Sequence, residues 1–403
     1  MNVLLFNTYP QGGAGIACRR LQSALQASGL NAGLLSASDT GSRWPFYAER
    51  LSFLPYERDK SVRFAFSPAN FGKNLRFHPL VQQADILHLH WINQGFLSLQ
   101  GIHDLASLGK PIVWTLHDMW AFTGGCHYSR GCQRFELHCG QCPYLRRPAE
   151  DDLSNRIWQR KKQLFPADIQ FVTCSEWLRD VALTSGLLRD YPVKAIPNPI
   201  DTDVFHPVHK TERQAFKQEH GIAPDARVLL FVAMKVNETR KGFKYLMEAL
   251  QTLRVGAPEL PLEIVVLGQA DPEVLAALPY PVKALGLIRG EAQLARVYAC
   301  SDVFVIPSLE DNLPNTVMES LACGTPVAGF ATGGIPEMVG HEQEGFIAPQ
   351  GDASRLADGI RWILEDKQKL VLLRQNARAK VEQRYTKAVV AGRYRALYEE
   401  LRN

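Results

Sequence analysis

Short apolar runs alternate with amphipathic stretches along the whole chain, a pattern typical of parallel sheets covered by helices on both faces. In the first half, runs rich in β-branched and aromatic residues predict strands at Val3–Thr8, Asp85–His90, Ile112–His117 and Gln170–Cys174. The second half predicts five more, at Val228–Ala233, Leu262–Leu267, Val282–Leu287, Asp302–Pro307 and Pro326–Phe330. Helical patterns lie between the runs, among them Gly242–Leu253, Ala292–Cys300 and a long final region from about Ser354 to Arg402. The chain is therefore predicted to be an α/β protein.

A proline-rich segment divides this pattern into two parts. Three prolines lie between Tyr191 and Ile200, and Pro207 follows. Prolines at this density stop helices and stiffen a connector. We therefore expect one domain over residues 1–195 and a second over residues 208–380. Residues 381–403 are expected to form a helix that packs back on the first domain.

Composition narrows the classes of function. Of 403 residues, 46% are apolar and 21% are charged, which is ordinary for a soluble globular protein. The formal net charge of +4 is too small for a dedicated nucleic-acid binder, so no nucleic-acid partner is expected. No apolar run approaches the roughly 18 residues of a membrane span. The first residues lack the basic leader of a signal peptide, and the expected location is the cytoplasm.

A glycine-rich loop follows the first predicted strand. Gly12, Gly13 and Gly15 let the backbone approach a ligand, and a helix predicted to begin near Ile16 would offer N–H groups to an anion. The same residues partly match a dinucleotide fingerprint with Cys18 in place of its third glycine. An NAD-dependent oxidoreductase is therefore one alternative, and a simple strand-to-helix turn is another.

Histidines end two of the predicted strands. His117 follows a buried strand, so it is expected at the ligand-binding edge of the sheet, where it could donate to a substrate hydroxyl or phosphate. A histidine satisfied by a backbone carbonyl is the alternative. His88 and His90 lie two residues apart without a third ligand nearby, and we expect them to be structural.

The segment from Pro307 to Pro326 combines a loop and a helix with two acidic residues. The helix is predicted to begin near Pro314 and to end at Gly324. Asp311 lies in the loop and Glu319, eight residues later, in the helix. Carboxylates accept hydrogen bonds from sugar and ribose hydroxyls, so this segment is a candidate binding site. A capped surface helix is the alternative.

Basic residues follow the first strand of the second domain. Lys235 and Lys241 lie six residues apart, with Arg240 beside the second lysine. Such a group can stabilise a diphosphate as it leaves. A solvated charge run is the alternative.

Together these segments resemble the retaining glycosyltransferases of family 4, the group 1 transferases with the GT-B fold. The resemblance covers nearly the whole chain and is densest from Val228 to Gly351. It implies two Rossmann-like doubly wound domains facing a central cleft. It also implies transfer of a sugar from a nucleoside-diphosphate sugar to a saccharide or lipid-linked acceptor, with retained anomeric configuration, in surface polysaccharide biosynthesis.

The resemblance also implies roles for individual residues. Glu319 would hold the ribose, and the loop residues Asp311, Asn312 and Leu313 would contact the donor sugar. The remaining matches are the phosphate-binding pair Lys235 and Lys241, the glycine loop at Gly12 and Gly13, and the donor-sugar histidine His117. No cofactor is expected for catalysis.

This sequence departs from the family pattern at two of those positions. Lysine replaces arginine at Lys235, and aspartate replaces the more usual glutamate at Asp311. A protein that binds sugar nucleotides without turnover is therefore a third alternative. Glu337 is expected to order a loop of the second domain rather than to react.

Four of the eight cysteines are clustered after His117, at Cys126, Cys132, Cys139 and Cys142. The last pair has the Cys-x2-Cys spacing of a zinc half-site, whereas the first pair is spaced more widely than usual. The spacing leaves a structural zinc, one or two disulfides, and free thiols as alternatives.

Residues 43–78 contain nine aromatic and seven basic residues. Interleaved aromatic rings and positive charges suit an anionic membrane surface or a lipid-diphosphate acceptor. Peripheral contact with the inner face of the cell membrane is one interpretation. The alternative is that the rings belong to the core and the charges to a solvated rim.

Overall fold

Each half of the chain builds its own six-stranded parallel sheet. The computed structural model describes residues 1–236, 238–269 and 271–402. Contacts divide the chain into two units, the first made of Met1–Pro199 and Lys387–Asn403 and the second of Ile200–Thr386.

The first unit contains strands β1 to β6 in the spatial order β2-β1-β3-β4-β5-β6. The strands are Asn2–Asn7 (β1), Asn31–Ser36 (β2), Ile86–Leu89 (β3), Ile112–Leu116 (β4), Gln170–Thr173 (β5) and Val193–Ala195 (β6). Its helices are Gly12–Ala27 (α1), Trp44–Phe53 (α2), Pro79–Gln83 (α3), Leu99–Ala106 (α4), Leu153–Leu164 (α5) and Glu176–Thr184 (α6). All neighbouring strands run parallel, and Val3 of β1 lies opposite Ala32 of β2 and Ile86 of β3.

The second unit repeats this plan with strands in the order β12-β11-β10-β7-β8-β9. Its strands are Arg227–Lys235 (β7), Leu262–Gln269 (β8), Val282–Gly286 (β9), Val303–Ile306 (β10), Val327–Phe330 (β11) and Gly345–Ala348 (β12). Its helices are Lys210–Glu219 (α7), Phe243–Gly256 (α8), Pro272–Ala276 (α9), Glu291–Cys300 (α10), Asn315–Ala322 (α11), Ile335–Met338 (α12), Ala353–Leu364 (α13) and Lys367–Arg384 (α14).

The central strands are buried on both faces because their side chains alternate between two apolar layers. In β1, Leu4 and Phe6 belong to one core cluster, whereas Val3 and Leu5 belong to another. This explains why the run reads as continuously apolar in the sequence.

The last helix, Lys387–Arg402 (α15), packs on α1 in the first unit. Two of its tyrosines contact polar residues of the sheet. The Tyr398 hydroxyl lies 2.7 Å from Nδ1 of His88, and the Tyr394 hydroxyl lies 2.9 Å from Oγ1 of Thr115. Residues 381–386 stay with the second unit, because α14 continues to Arg384 and Ile200 pairs with Thr386.

The structure corrects several predicted boundaries. Helix α1 begins at Gly12 instead of Ile16, so the glycines form its first turn. Strands β2, β6 and β12 were not predicted, and β6 lies inside the segment interpreted as a connector. The final helical region is three helices, because Asp366 caps a new helix and the chain leaves the helical conformation at Tyr385.

Candidate active site

Both sheets change the direction of chain progression at one strand, and ligands of doubly wound folds bind at the carboxyl ends of strands beside such a point. In the first sheet the chain moves from β1 to β2 on one side and then to β3 on the other. In the second sheet β8 and β10 flank β7 in the same way. Most predicted site residues lie at the end of, or in the segment after, one of the strands β1, β7 and β10.

In the second unit, the loops after β7 and β10 are joined by an ion pair. Nζ of Lys241 donates to Oδ2 of Asp311 at 2.7 Å, and Arg240 lies 3.7 Å from the same oxygen. Arg240 also donates to the carbonyl of Glu310 at 2.9 Å. Burial alone would raise the pKa of Asp311, but Lys241 and Arg240 outweigh it and hold that pKa below its usual value. Three predicted site residues therefore meet at one place.

Two glycines allow these loops to approach each other closely. Gly242 has φ of +70°, and a Cβ atom there would lie 1.8 Å from the carbonyl oxygen of Pro307. Gly333 has φ of +55°, and a Cβ there would lie 1.7 Å from the carbonyl oxygen of Asp311. Any side chain at either position would push the loop that carries Asp311 away.

Glu319 lies in α11 and is buried, with 3% of its surface exposed. Its backbone carbonyl accepts from Cys323 at the end of the helix, and the positive φ of Gly324 follows directly. In the loop before the helix, Asn312 and Leu313 are also buried, and the Asn312 carbonyl accepts from Gly334 at 2.8 Å. By contrast, Lys235 is exposed at the end of β7.

The glycine loop of the first unit opens α1. Gly12 and Gly13 are exposed, and a Cβ atom at either residue would meet no other atom within 4 Å. The N-cap residue Gln11 makes no side-chain hydrogen bond to the first turn of this helix. Cys18, at the third position of the dinucleotide pattern, is fully buried in the core.

His117 belongs to a chain of polar side chains at the ends of β3 and β4. Its Nε2 lies 3.0 Å from Nδ1 of His90, and its Nδ1 lies 3.5 Å from Sγ of Cys174. Burial lowers the pKa of His117 to about 4 and that of His90 well below its usual value, so both rings are neutral at pH 7. His90, which is expected from the sequence to be structural, thus contacts a predicted site residue.

Asp118 holds the loop that follows His117. Its carboxylate accepts from the indole of Trp91 at 2.9 Å, from Nδ1 of His127 at 2.7 Å and from the backbone of Trp120 at 2.9 Å. Burial would raise the pKa of Asp118, but these interactions, led by His127, keep it below its usual value. Asp118 therefore fixes Trp91 beside the histidines.

The four clustered cysteines line one pocket. All eight cysteines of the chain are free thiols. Burial raises the pKa of Cys139 to about 11, that of Cys142 to about 12 and that of Cys126 well above its usual value. Among the described residues, no group of three or more His, Cys, Asp or Glu side chains is arranged to hold a metal ion. The donor set suits zinc, whereas its present arrangement does not close around an ion.

The aromatic segment divides between core and surface. Phe53 and Phe66 are buried and stacked, with ring centroids 4.9 Å apart. Along α2 and the residue after it, one exposed face is apolar, made of Trp44, Tyr47, Leu51 and Leu54. Nowhere in the described ranges does a helix combine the length and apolar character needed to cross a membrane.

Two sequence profiles of known families match the chain. The profile described as Glycosyltransferase Family 4 matches residues 11–204, and the one described as Glycosyl transferases group 1 matches residues 226–366. The chain belongs to the family 4, group 1 glycosyltransferases. In this glycosyltransferase chain, the first match includes the glycine loop and His117, and the second includes Lys241, Asp311 and Glu319.

Curated relatives of this glycosyltransferase chain are distant. D-inositol 3-phosphate glycosyltransferase of Pseudarthrobacter chlorophenolicus is 27% identical over 300 residues, which cover 70% of this chain and 63% of that protein. Sulfoquinovosyl transferase SQD2 of Arabidopsis thaliana is 26% identical over 334 residues, covering 81% of this chain and 58% of that protein. The chain thus spans about three fifths of the length of these relatives.

Solved structures share the fold over the whole chain. Sucrose-phosphate synthase from Thermosynechococcus elongatus is 18% identical with a TM-score of 0.68, covering 99% of this chain and 98% of that one. Anabaena HepE in complex with UDP is 17% identical with a TM-score of 0.67, covering 99% and 100%. The glycosyltransferase chain therefore has the GT-B fold with two Rossmann-like domains.

Sequence reasoning missed two residues beside His117. Trp91 and Asn93 come just after His90, at the end of β3, and both line the same recess as His117. The sequence does carry a signal, because β3 ends in a polar segment just as β4 does. The interpretation of the histidine pair as structural obscured it.

Proposed function

We propose that this chain is a retaining glycosyltransferase that moves a sugar from a nucleoside-diphosphate sugar to a saccharide or lipid-linked acceptor. The observation that carries the proposal is the ion pair between Lys241 and Asp311 at the adjoining ends of β7 and β10. The pair brings a cation together with the carboxylate that the family resemblance assigns to the donor sugar, at the point where doubly wound sheets bind ligands.

The proposed mechanism is one of orientation and electrostatic stabilisation. Lys241 and Arg240 would face the diphosphate, where negative charge grows as the glycosidic bond breaks. Helix α8 has Gly242 at its N-cap position and no side-chain cap, so its first N–H groups add to this positive region. Asp311 keeps the Lys241 ammonium in place, and Glu319 would bind the ribose hydroxyls. The leaving diphosphate would take the acceptor proton on the same face of the sugar.

The biological setting that we propose is surface polysaccharide synthesis in the cytoplasm, at the inner face of the cell membrane. The exposed apolar face of α2 supports membrane contact, because Trp44, Tyr47, Leu51 and Leu54 recur at helical spacing. Basic residues lie close by, with Arg43 above the ring of Tyr47 and Arg50 above that of Phe64. Such a surface suits anionic lipids.

We further propose that Cys126, Cys132, Cys139 and Cys142 hold a structural zinc ion. Four thiolates around Zn²⁺ carry net negative charge, and Lys161 offers a buried compensating cation. Its Nζ donates to the carbonyls of Trp120 and Thr123. Burial lowers the pKa of Lys161 to about 7, and the nearby Cys139 and Cys126 act in the opposite direction, so thiolates there would favour the charged ammonium. Sγ of Cys139 already accepts from the backbone of Gly124 at 3.0 Å. Binding would require the thiols to lose their protons and to turn toward one point.

A donor panel tests the proposed activity. The protein is incubated with UDP-, GDP-, ADP- and dTDP-sugars and a set of saccharide and lipid-diphosphate acceptors, and the released nucleoside diphosphate is measured. Turnover with one donor supports a transferase. Binding without release identifies a sugar-nucleotide-binding protein, and hydride transfer to NAD would favour an oxidoreductase instead.

A further inference from the structure

Two buried polar side chains beside His117 each hold an atom without a hydrogen-bond partner. These atoms are Nε2 of His90 and Nδ2 of Asn93. His90 is 3% exposed and Asn93 is 2% exposed, and both residues line the same recess. Buried polar groups are nearly always satisfied, so two such atoms in one recess point to a missing polar ligand.

The neighbouring contacts explain why His90 is available to a ligand and His117 is not. Both ring nitrogens of His117 have neighbours, Nε2 at His90 and Nδ1 at Cys174. The Cys174 thiol lies 3.2 Å from Oδ1 of Asn198, to which it can donate. If the thiol donates to Asn198, Sγ of Cys174 accepts a hydrogen bond from Nδ1 of His117. Nε2 of His117 is then unprotonated and accepts from Nδ1 of His90. Nε2 of His90 is then an acceptor that faces no protein donor.

His88 shows what a purely structural histidine looks like in the same strand. Its two ring nitrogens each lie 2.7 Å from a hydroxyl, one of Tyr398 and one of Thr115. His90 uses only one nitrogen in this way. His90 follows β3 directly, so its unused Nε2 belongs to the carboxyl end of that strand, where ligands of this fold bind.

The backbone around the recess is held in an uncommon conformation. Gln94, directly after Asn93, has φ of +58°, a left-handed value that residues other than glycine seldom adopt. Two contacts tie the segment to the end of β1, from Trp91 to the side chain of Asn7 at 3.0 Å and from Thr8 Oγ1 to the carbonyl of Asn93 at 2.9 Å. Strain of this kind is concentrated at binding sites.

We infer that His90 and Asn93 together bind one hydroxyl group of a substrate sugar. The hydroxyl oxygen would accept from the Asn93 amide, and its proton would be donated to Nε2 of His90. A hydroxyl is the simplest group that satisfies a donor and an acceptor at once. Trp91 lines the same recess and adds an aromatic surface. The inference rests on the proposed function, because the sugar belongs either to the donor or to the acceptor.

Calorimetry with matched ligands tests the inference. Wild type, Asn93→Ala, His90→Phe and the conservative His90→Gln are titrated with UDP and UDP-glucose and with GDP and GDP-mannose. Tyr280→Phe is the control, because it removes another unpartnered buried polar atom in the second unit with little change of shape. Unfolding midpoints are measured for every variant.

If the hydroxyl belongs to the donor, Asn93→Ala and His90→Phe weaken the nucleotide sugar about tenfold and leave the nucleoside diphosphate within about twofold. If it belongs to the acceptor, donor binding is unchanged and the acceptor KM rises about tenfold while kcat changes less. In either case His90→Gln recovers part of the loss, and Tyr280→Phe behaves as wild type. Unchanged binding and KM, or equal losses for nucleotide and nucleotide sugar with a lower unfolding midpoint, would overturn the inference.

A separate measurement distinguishes failure of this inference from failure of the proposed function. If wild type binds none of these ligands and none of the ADP- and dTDP-sugars of the donor panel, the donor proposal fails. Glucose and mannose are then titrated alone, with tryptophan fluorescence as the readout, because Trp91 and Trp120 line the recess. A response abolished by Asn93→Ala supports the hydroxyl site independently, and the absence of any Asn93-dependent response contradicts it.

Discussion

The Lys241 ammonium and the Asp311 carboxylate form an ion pair of 2.7 Å between loops 70 residues apart in sequence. Asp311 is buried and Lys241 is only partly exposed, so solvent screens the pair weakly. Lys241 is therefore a positioned cation rather than a mobile surface lysine. A ligand phosphate placed beside Lys241 would interact with the same ammonium group that Asp311 holds.

Loss of Lys241 should affect turnover more than donor binding, because its contribution grows with charge on the leaving diphosphate. We expect Lys241→Ala to lower kcat by roughly 10²–10³. Lys241→Arg should recover part of it, since the charge is kept while the geometry changes. Steady-state assays at saturating donor provide the comparison, and near-wild-type turnover in Lys241→Ala would mean that the leaving group is stabilised elsewhere.

A double-mutant cycle separates this effect from simple loss of the ion pair. Lys241→Met, Asp311→Asn and the double variant should show a coupling of about 1–3 kcal/mol in the free energy of unfolding. Additive effects would contradict the pairing. Lys235→Met is the control, since Lys235 is exposed and should leave the free energy of unfolding unchanged.

Replacing Glu319 should weaken nucleotide binding. Hydrogen bonds to a charged group contribute on the order of 1.5–3 kcal/mol each, so Glu319→Ala should raise the Kd for the nucleoside diphosphate at least tenfold. Glu319→Gln keeps the shape of this buried side chain and separates charge from packing. Calorimetry gives the affinities, with the exposed Glu365→Gln as control. Unchanged affinity for the nucleoside diphosphate in Glu319→Ala would show that Glu319 does not bind the ribose.

Membrane contact should depend on the apolar face of α2. Wild type is expected to float with phosphatidylglycerol vesicles and much less with phosphatidylcholine vesicles, because the attraction is partly electrostatic. Leu51→Glu should lose this binding, since it places a carboxylate within the apolar stripe. Val255→Glu, at a residue 84% exposed in the second unit, is the matched control. Equal flotation of the two variants would show that α2 does not mediate membrane binding.

Purified protein should contain about one zinc ion per chain if the four cysteines form one site. Elemental analysis measures this directly, and Cys139→Ser should lower the zinc content while Cys300→Ser, at a cysteine outside the cluster, should not. Chelation should lower the unfolding midpoint because metal binding is coupled to folding. A metal-free, stable and active preparation would leave free thiols or disulfides as the surviving alternatives.

Acid should destabilise the first unit from near neutral pH. Burial lowers the pKa of His88 to about 3 and that of His117 to about 4, below the usual 6.5. The unfolded chain therefore binds more protons below about pH 6.5, and stability that is complete above this value is lost as the pH falls. Each histidine contributes about 1.4 kcal/mol per pH unit in that window.

Urea unfolding between about pH 4 and pH 8 measures that slope. His88→Gln should reduce the slope by about one proton. A profile that stays flat below the usual histidine pKa would show that these histidines become protonated without unfolding.

The sequence was sufficient to predict the central strands buried on both faces, because continuous apolar runs bounded by turns are distinctive. Strands β2, β6 and β12 are not predicted from the sequence, and all three lie at the edges of their sheets. Strand β2 contains Gly33 and polar residues at both ends, β6 is a three-residue strand, and β12 begins with Gly345. Edge strands need little apolar character, so their sequences resemble loops.

The candidate site was predicted residue by residue but not in its contacts. The sequence predicts separate roles for Lys241 and Asp311, and nothing in a single sequence pairs residues from two distant loops. The same limit hid His90, whose partner His117 lies on a neighbouring strand. Sequence spacing identified chemistry along one loop, whereas sheet order determined which loops meet.

Real-time ¹H NMR of the reaction, with the donor that the panel identifies, tests retaining transfer at this site most directly. We expect one nucleoside diphosphate to be released for each sugar transferred. The new anomeric proton should have the configuration of the donor, and Lys241→Ala should slow both signals together. An inverted product, or release of the diphosphate without a glycosylated acceptor, would contradict retaining transfer at this site.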